Sequence, residues 1–478
     1  MHELNIILVA IYYIIVVMTV VHVVMDNRQP AKTMAWALVI WFVPVAGIIF
    51  YLFFGINTRK ERHVSQRMLD DLSKRSMLGF LEQQDLRLPE EYKPVIDLYI
   101  NQGFSLPFIT DEVDIYHDGY EFFPALLSAI HRAHDHIHID MYIIEEDPLG
   151  CLVADALIQK AREGVEVRLI YDDVGCWQVP HRFFEQMREE GIEVVPFLPV
   201  RFPSFTSKVN YRNHRKIVVV DGLTGFIGGM NIALRYVKGT NGQPWRDTMI
   251  RISGPGVYAL QRLFLIDWYF VDRTLLSDRK YYPPSVFHSL TGREPFGLLQ
   301  AVTSSPVVPY PEIMPGFVRI IYTAKKYIFI ETPYFLPTDP VLSALKTAAA
   351  SGIDVRILVP KENDSWFVEW AGRSYLREAV EAGIKISLYT GGFLHSKLMV
   401  SDDSIATCGS TNIDFRSFEN NFEANVFFYG EEVAQRMKQV FMEDERRSVP
   451  LTKIKERLHP TFPIRLFESV VRMLAPLM

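Results

Sequence analysis

Two stretches of the chain, NHRKIVVVDG (213–222) and LHSKLMVSDD (394–403), carry one string, His-x-Lys-x4-Asp. After each aspartate six residues lead to a small-residue turn ending in asparagine, GGMN (228–231) and GSTN (409–412). The surroundings repeat as well. HIHIDMYII (136–144), LVADALIQKAREG (152–164) and VEVRLIYDD (165–173) read as strand, helix and strand. YIFIETPYF (327–335), PVLSALKTAAASG (340–352) and IDVRILVPK (353–361) read the same way. Gly164 and Gly352 stand where each helix wants a left-handed cap. A further helix and a Gly-led strand, GIEVVPF (191–197) or GIKISLY (383–389), then precede each string. A sequence that writes one order of elements twice is constrained to build one half twice. The expected fold class is α/β, two duplicated halves related by a pseudo-twofold axis.

In each copy the string reads as a strand. Side chains alternate faces along a strand, so His214 and Lys216 point one way, as do His395 and Lys397. The turn lets backbone and asparagine approach an anion closely. Histidine, lysine and asparagine together suit a phosphoryl group: lysine and asparagine bind its oxygens, and histidine is nucleophile or proton donor. Two halves supply two histidines for opposite sides of one phosphorus, where an acid and a base must hold opposite protonation states.

The 478 residues exceed one ordinary domain, and 49 % are hydrophobic. The net charge of −6 disfavours a nucleic-acid partner. Three cysteines without a Cys-x-x-Cys fit a reducing compartment. Residues 4–25 and 33–58 contain no Asp, Glu, Lys or Arg, and each is long enough to span a hydrocarbon core of about 30 Å. Proline, here Pro44, is tolerated in spanning helices. The connection DNRQPAK holds only Arg28 and Lys32, whereas Arg59, Lys60, Arg62, Arg67, Lys74 and Arg75 follow the second run. The excess of cations puts the C-terminal bulk in the cytoplasm. The expected divisions are a membrane anchor of two transmembrane helices (1–57), a linker and lead-in (58–110), a first half (111–285), a second half (286–450) and an amphipathic tail (451–478).

With its doubled string, its two apolar runs, W-x4-W-x2-P from Trp36 to Pro44, WRDTMIRISGPGV (245–257) and ETPYFLPT (331–338), the chain resembles the phospholipase D superfamily and, within it, the bacterial cardiolipin synthases. The resemblance implies a multi-pass enzyme of the bacterial inner membrane that uses no cofactor and no metal. A phosphatidyl group would pass from one phosphatidylglycerol to a second, giving cardiolipin and glycerol. A phospholipase D-type hydrolase or another phosphatidyltransferase is the alternative; a nuclease and a non-enzymatic scaffold are disfavoured. By the resemblance His214 forms a phosphatidyl-histidine, and His395 protonates the leaving group and then acts as base. Lys216, Lys397, Asn231 and Asn412 hold phosphate oxygens, with Ser410 helping. A carboxylate stands behind each histidine, matching Asp247, 33 residues after His214, and Glu423, 28 after His395. Asp221 and Asp402 complete the catalytic motif by name, but the strand period places them away from phosphorus as structural residues. The implied partners are phosphatidylglycerol, cardiolipin and the lipid bilayer; a homo-oligomer is left open.

Two stretches invite other readings. His136, His138 and Asp140 alternate onto one strand face as a metal site would, against the metal-free chemistry of the superfamily. In the tail, Ile464, Phe467, Val471, Leu474 and Met478 form one apolar stripe, with Arg465 and Arg472 elsewhere. Packing on the core is the plainer reading, and a membrane-surface helix the sharper one. The aromatic run FLPVRFPSF (197–205) admits burial or contact with lipid.

Overall fold

Strands of alternating Val and Ile can be buried on both faces, and the central strands of both halves are. In the computed structural model, which describes residues 2–25, 30–55, 88–103, 105–200, 210–240, 242–283, 297–306 and 312–475, each half is one sheet. The first half uses β2 (Glu112–Tyr116), β3 (His136–Met141), β4 (Glu166–Asp172), β5 (Glu193–Phe197), β6 (Lys216–Val220), β7 (Thr224–Gly228) and β9 (Met249–Ser253). Their order across the sheet is β2-β9-β7-β6-β3-β4-β5. The second half uses β10 (Gly297–Ser304), β11 (Tyr327–Glu331), β13 (Asp354–Pro360), β14 (Lys385–Tyr389), β16 (Leu398–Ser401), β17 (Ile405–Gly409) and β19 (Glu423–Tyr429). They repeat the order as β10-β19-β17-β16-β11-β13-β14. In both, three strands run parallel (β3, β4, β5 and β11, β13, β14). The helices Pro148–Arg162 and Asp339–Ala350 make the equivalent crossovers, and Gly164 (φ +92°) and Gly352 (φ +89°) follow them as expected.

The alternation along β6 shows how the halves join. Val218 and Val220 enter the first half's own core, while Ile217 and Val219 enter a second core. Leu398 and Val400 of β16 meet them there, as do residues of the long helices Val257–Asp272 and Glu431–Arg446. Fully burying such a side chain contributes roughly 1.5–3 kcal/mol. The halves therefore share an apolar interface and form one packed body.

The lead-in does not stand apart. Tyr92, Val95, Ile96 and Tyr99, around the helix Lys93–Gly103, pack in the second half's core. β1 (Phe108–Thr110) pairs antiparallel with β10, and β20 (Ser448–Pro450) closes the far edge on β14. The part of the expected linker at 58–87 lies outside the described residues, as do 201–205 of the aromatic run and Met478.

At the N-terminus α1 (His2–Met25) follows the first apolar run. The second run is broken at Val43 and Pro44 into α2 (Pro30–Phe42) and α3 (Pro44–Phe50), because proline cannot continue the hydrogen-bond ladder. Val16 and Val23 pack on Trp36, Ile40 and Tyr51, forming a hairpin. Among the described residues no helix is long and apolar enough to cross a membrane, so the two expected spans are not drawn here. Lys32, at the connecting end of the hairpin, ion-pairs with Glu419 of the catalytic body.

Candidate active site

The two strings meet at a cavity of about 520 Å³ between the halves, whose lining includes His214, His395, Asn231 and Asn412. Short strand pairings across the halves bring them there. β8 (Trp245–Arg246) of the first half runs parallel with β15 (Phe393–Leu394) of the second, and Arg246 O accepts from His395 N at 2.7 Å. On the other side Asn213 bridges to Phe422, and Phe422 O accepts from His214 N at 2.9 Å.

This swap crosses the carboxylates. His214 Nδ1 lies 3.0 and 3.1 Å from the oxygens of Glu423, and His395 Nδ1 lies 2.7 Å from Asp247 Oδ2. The sequence spacing matched Asp247 to His214 and Glu423 to His395; the fold pairs them the other way. Both carboxylates are fully buried, so each imidazole is oriented as in other carboxylate–histidine pairs and presents Nε2 to the cavity.

The lysines and Ser410 differ from expectation. β6 begins at Lys216, so His214 stands just ahead of the strand. Lys216 is buried, its Nζ donating to His214 O at 2.5 Å beneath the ring of Tyr142. Lys397 donates to His395 O, and its Nζ lies 2.9 Å from His395 Nδ1. Both ammonium groups thus sit directly behind the histidines. Ser410 does not face the cavity: its hydroxyl donates to Glu423, as does Asn421 Nδ2 at 3.1 Å. The equivalent position is Gly229, where a Cβ would come within 2.0 Å of Asp247 Oδ1. Asn231 accepts from Ile143 N and donates to Tyr236 Oη. Asn412 Oδ1 is buried without a hydrogen-bond partner among the described residues.

Burial dominates the electrostatics. Burial and Lys397, opposed by Asp247, push His395 down to about 3. Burial lowers His214 as well, with Glu423 opposing and Lys216 reinforcing. Burial brings Lys216 down to about 7 against the pull of Glu423. Burial would raise both carboxyls, but they end lowered: Asp247 by Lys397 and His395, Glu423 by His214 and Lys216. The protein's own groups therefore favour two neutral imidazoles beside two carboxylates.

Asp221 and Asp402 are remote from this chemistry. Asp221 accepts from the backbone N–H groups of His134, Asp135 and His136 at 2.8–2.9 Å. Asp402 accepts from those of Lys325, Lys326 and Tyr327 at 2.6–2.9 Å. Each pins the start of the first of the three parallel strands, β3 or β11, at the far end of the motif. Their place in a catalytic set is corrected to a structural one.

Two buried acid pairs were missed. Asp140 and Asp267 flank Arg215; Glu331 and Asp444 flank Arg246. Asp140 and Glu331 hold equivalent places on β3 and β11, yet both arginines come from the first half. Arg215 also donates to Glu423 O and Ser304 O in the second half. Burial and Asp444, opposed by Arg246, push Glu331 up to about 8. Also missed were Arg235 and Arg416, which line the cavity; the repeated Asn-x3-Arg at 231–235 and 412–416 was the signal. The ring nitrogens of His136 and His138 face Asp135, Gln261 and Arg168. Among the described residues no group of His, Cys, Asp and Glu is arranged to hold a metal ion.

Comparison with known proteins agrees with this geometry. Residues 126–268 and 317–445, together more than half of the chain, match the family described as "Cardiolipin synthase, PLD-like domain". Residues 14–55 match "Phospholipase_D-nuclease N-terminal". The cardiolipin synthase of Geobacillus sp. (strain WCH70) is 38 % identical over 458 residues, covering 95 % of this chain and 90 % of that one. The major cardiolipin synthase ClsA of Bacillus subtilis (strain 168) is 38 % identical over 486 residues, covering 99 % of each. The crystal structure of phosphatidylserine synthase from Haemophilus influenzae Rd KW20 shares the fold, with a TM-score of 0.61 at 15 % identity, covering 81 % of this chain and all of that one. A duplicated α/β body, a shared cavity with crossed histidine–carboxylate pairs and near full-length similarity lead to one conclusion: the chain belongs to the cardiolipin synthase family of phospholipase D-like proteins.

Proposed function

We propose that the chain is a phosphatidyltransferase that makes cardiolipin from two molecules of phosphatidylglycerol and releases glycerol. The observation that carries this reading is the pair of motif histidines facing one cavity, each held by a carboxylate of the other half. His214, neutral through burial, attacks the phosphorus of the first lipid and forms a phosphatidyl-histidine. His395 gives a proton to the departing glycerol oxygen, then takes one from the headgroup hydroxyl of the second lipid. That hydroxyl displaces His214 and completes cardiolipin. Asn231 and Asn412 line the cavity where the phosphate oxygens come, and Lys216 and Lys397 supply positive charge from behind the histidines. Burial, and next to it Lys397, hold His395 low. An anionic phosphodiester offsets that cation and raises the proton affinity of the imidazole, so substrate binding itself loads the acid. A positioned acid–base contributes about 10²–10⁴ in rate.

The hairpin supports membrane attachment. Ile7, Ile11, Ile14, Met18, Trp41 and Phe42 are all exposed on it, more apolar surface than water tolerates well. The run of cations after it favours a cytoplasmic catalytic body at the inner membrane. A crossing hairpin would put Lys32 on the opposite side from Glu419, against the pair described above. Labelling single cysteines at positions 32 and 60 from either side decides: opposite sides mean a multi-pass anchor, one side a hairpin that turns back.

The activity is tested with purified protein in micelles of phosphatidylglycerol. Cardiolipin and free glycerol in equal amounts are expected; phosphatidic acid as sole product would make the enzyme a hydrolase.

A further inference from the structure

The C-terminal helix Phe462–Met473 lies on the helix Trp366–Glu381, and its inner side is held by charge as well as by packing. Glu468, 1 % exposed, meets Arg377 at 2.5 Å. Arg472 reaches Glu378 at 2.5 Å, donates to Ser374 Oγ at 3.0 Å and covers the ring of Tyr375. Val471 and Ala475 are buried beside them; of the expected stripe Ile464 and Phe467 are instead 40 % exposed, and Arg472, expected on the other face, points inward. The outer side is apolar too. Phe462, Leu466, Val470 and Met473 share one face by their helical spacing and are 77, 54, 49 and 56 % exposed. A surface helix ordinarily turns polar residues to water there. Trp366, 62 % exposed, extends the patch with its ring 6.0 Å from that of Phe467.

The patch adjoins the catalytic cavity. Val368, two residues beyond Trp366, and Ala475, two beyond Met473, both line it. We propose that this apolar face docks into the lipid surface that supplies the substrates, seating the mouth of the cavity at the headgroups. The proposal rests on the reading of the enzyme as one that acts on membrane phospholipids. Continuity selects the occupant: the helix Trp366–Glu381, which carries the exposed Trp366, lines the cavity through Val368, and the chain just past the end of the C-terminal helix lines it at Ala475. A lipid leaving the bilayer headgroup first then enters without exposing its acyl chains to water. Arg465, Lys453 and Lys455 are exposed on and just before this helix, with Glu456 among them, so the flank is net cationic toward anionic headgroups.

The test compares two forms of one substrate with full-length protein in proteoliposomes. Leu466→Asp and Val470→Asp alter exposed positions outside the cavity lining. Each should slow cardiolipin formation from long-chain phosphatidylglycerol in vesicles by about tenfold or more. Turnover of a short-chain, water-dissolved phosphatidylglycerol should stay at the wild-type rate. Equal rates on vesicles, or an equal fall on both substrates, would overturn the proposal. A nitroxide on Val470→Cys, in a Cys151→Ser background, should be reached by oxygen and shielded from a water-soluble nickel chelate. Free access of the chelate would overturn it, as would cross-linking of that cysteine to its equivalent in a second molecule, which would assign the face to self-association. If the wild-type protein makes no cardiolipin from either substrate, the functional reading fails, while the nitroxide result still reports on docking.

Discussion

Glu423→Gln removes the negative charge behind His214 and leaves the side chain's size and a hydrogen-bond acceptor in place. Both carboxylate oxygens lie within 3.1 Å of His214 Nδ1. A hydrogen bond to a charged group contributes about 1.5–3 kcal/mol. If the imidazole carries positive character in the transition state, that loss slows turnover by roughly 10- to 150-fold. The sign of the accompanying shift is fixed. Glu423 raises the proton affinity of His214, so its loss moves His214 further below the ordinary histidine range. Diethyl pyrocarbonate reacts with neutral imidazole, and peptide mass spectrometry reads each site separately. In Glu423→Gln the midpoint for modifying His214 should move to lower pH while that for His395 stays. In Asp247→Asn, His395 should move and His214 stay. The reverse assignment, with Asp247→Asn moving His214, would refute the crossed pairing.

Gly229→Ser should abolish most activity without unfolding the chain, because its Cβ would occupy the place of Asp247 Oδ1; initial rates and circular dichroism check this. Ser410→Gly removes one of three donors to Glu423 and should cost only a few-fold in rate. Asp221→Ala should lower stability by about 1–3 kcal/mol, since three backbone N–H groups lose their acceptor, with turnover per folded molecule unchanged in a denaturation-corrected assay. Glu331 is raised from its ordinary 4.5 to about 8 in the fold. Its contribution is therefore full below 4.5 and lost as pH rises through about 8. Glu331→Gln should flatten the fall in melting temperature that the wild-type protein shows over that window.

Much of the fold was legible because it is local and written twice. The strand–helix–strand order, the caps at Gly164 and Gly352 and the structural role of Asp221 and Asp402 follow from short-range period and turn chemistry. The crossed carboxylates do not. Spacing along the chain says which half Asp247 belongs to, but not that β8 leaves that half to pair with β15. Nor does it show that Phe422 returns to the strand end before His214. β1, in the lead-in, is three residues long and finds its partner, β10, in the second half, so periodicity gives it no address. Lys216 and Lys397 were legible as residues of the site but not as groups lodged behind the histidines. The acid pairs at Arg215 and Arg246 were invisible, since each assembles from distant segments. Ser410 shows a further limit: its turn matched GGMN in sequence, yet the hydroxyl serves Glu423 and the glycine makes room for Asp247.

The most direct test of the shared site is a rapid acid quench during turnover of acyl-labelled phosphatidylglycerol, followed by peptide mapping. A phosphatidyl adduct on the peptide containing His214, absent in His214→Ala, is the predicted result. An adduct on His395 would reverse the roles of the halves. Its complete absence, with cardiolipin still forming, would contradict transfer through histidine.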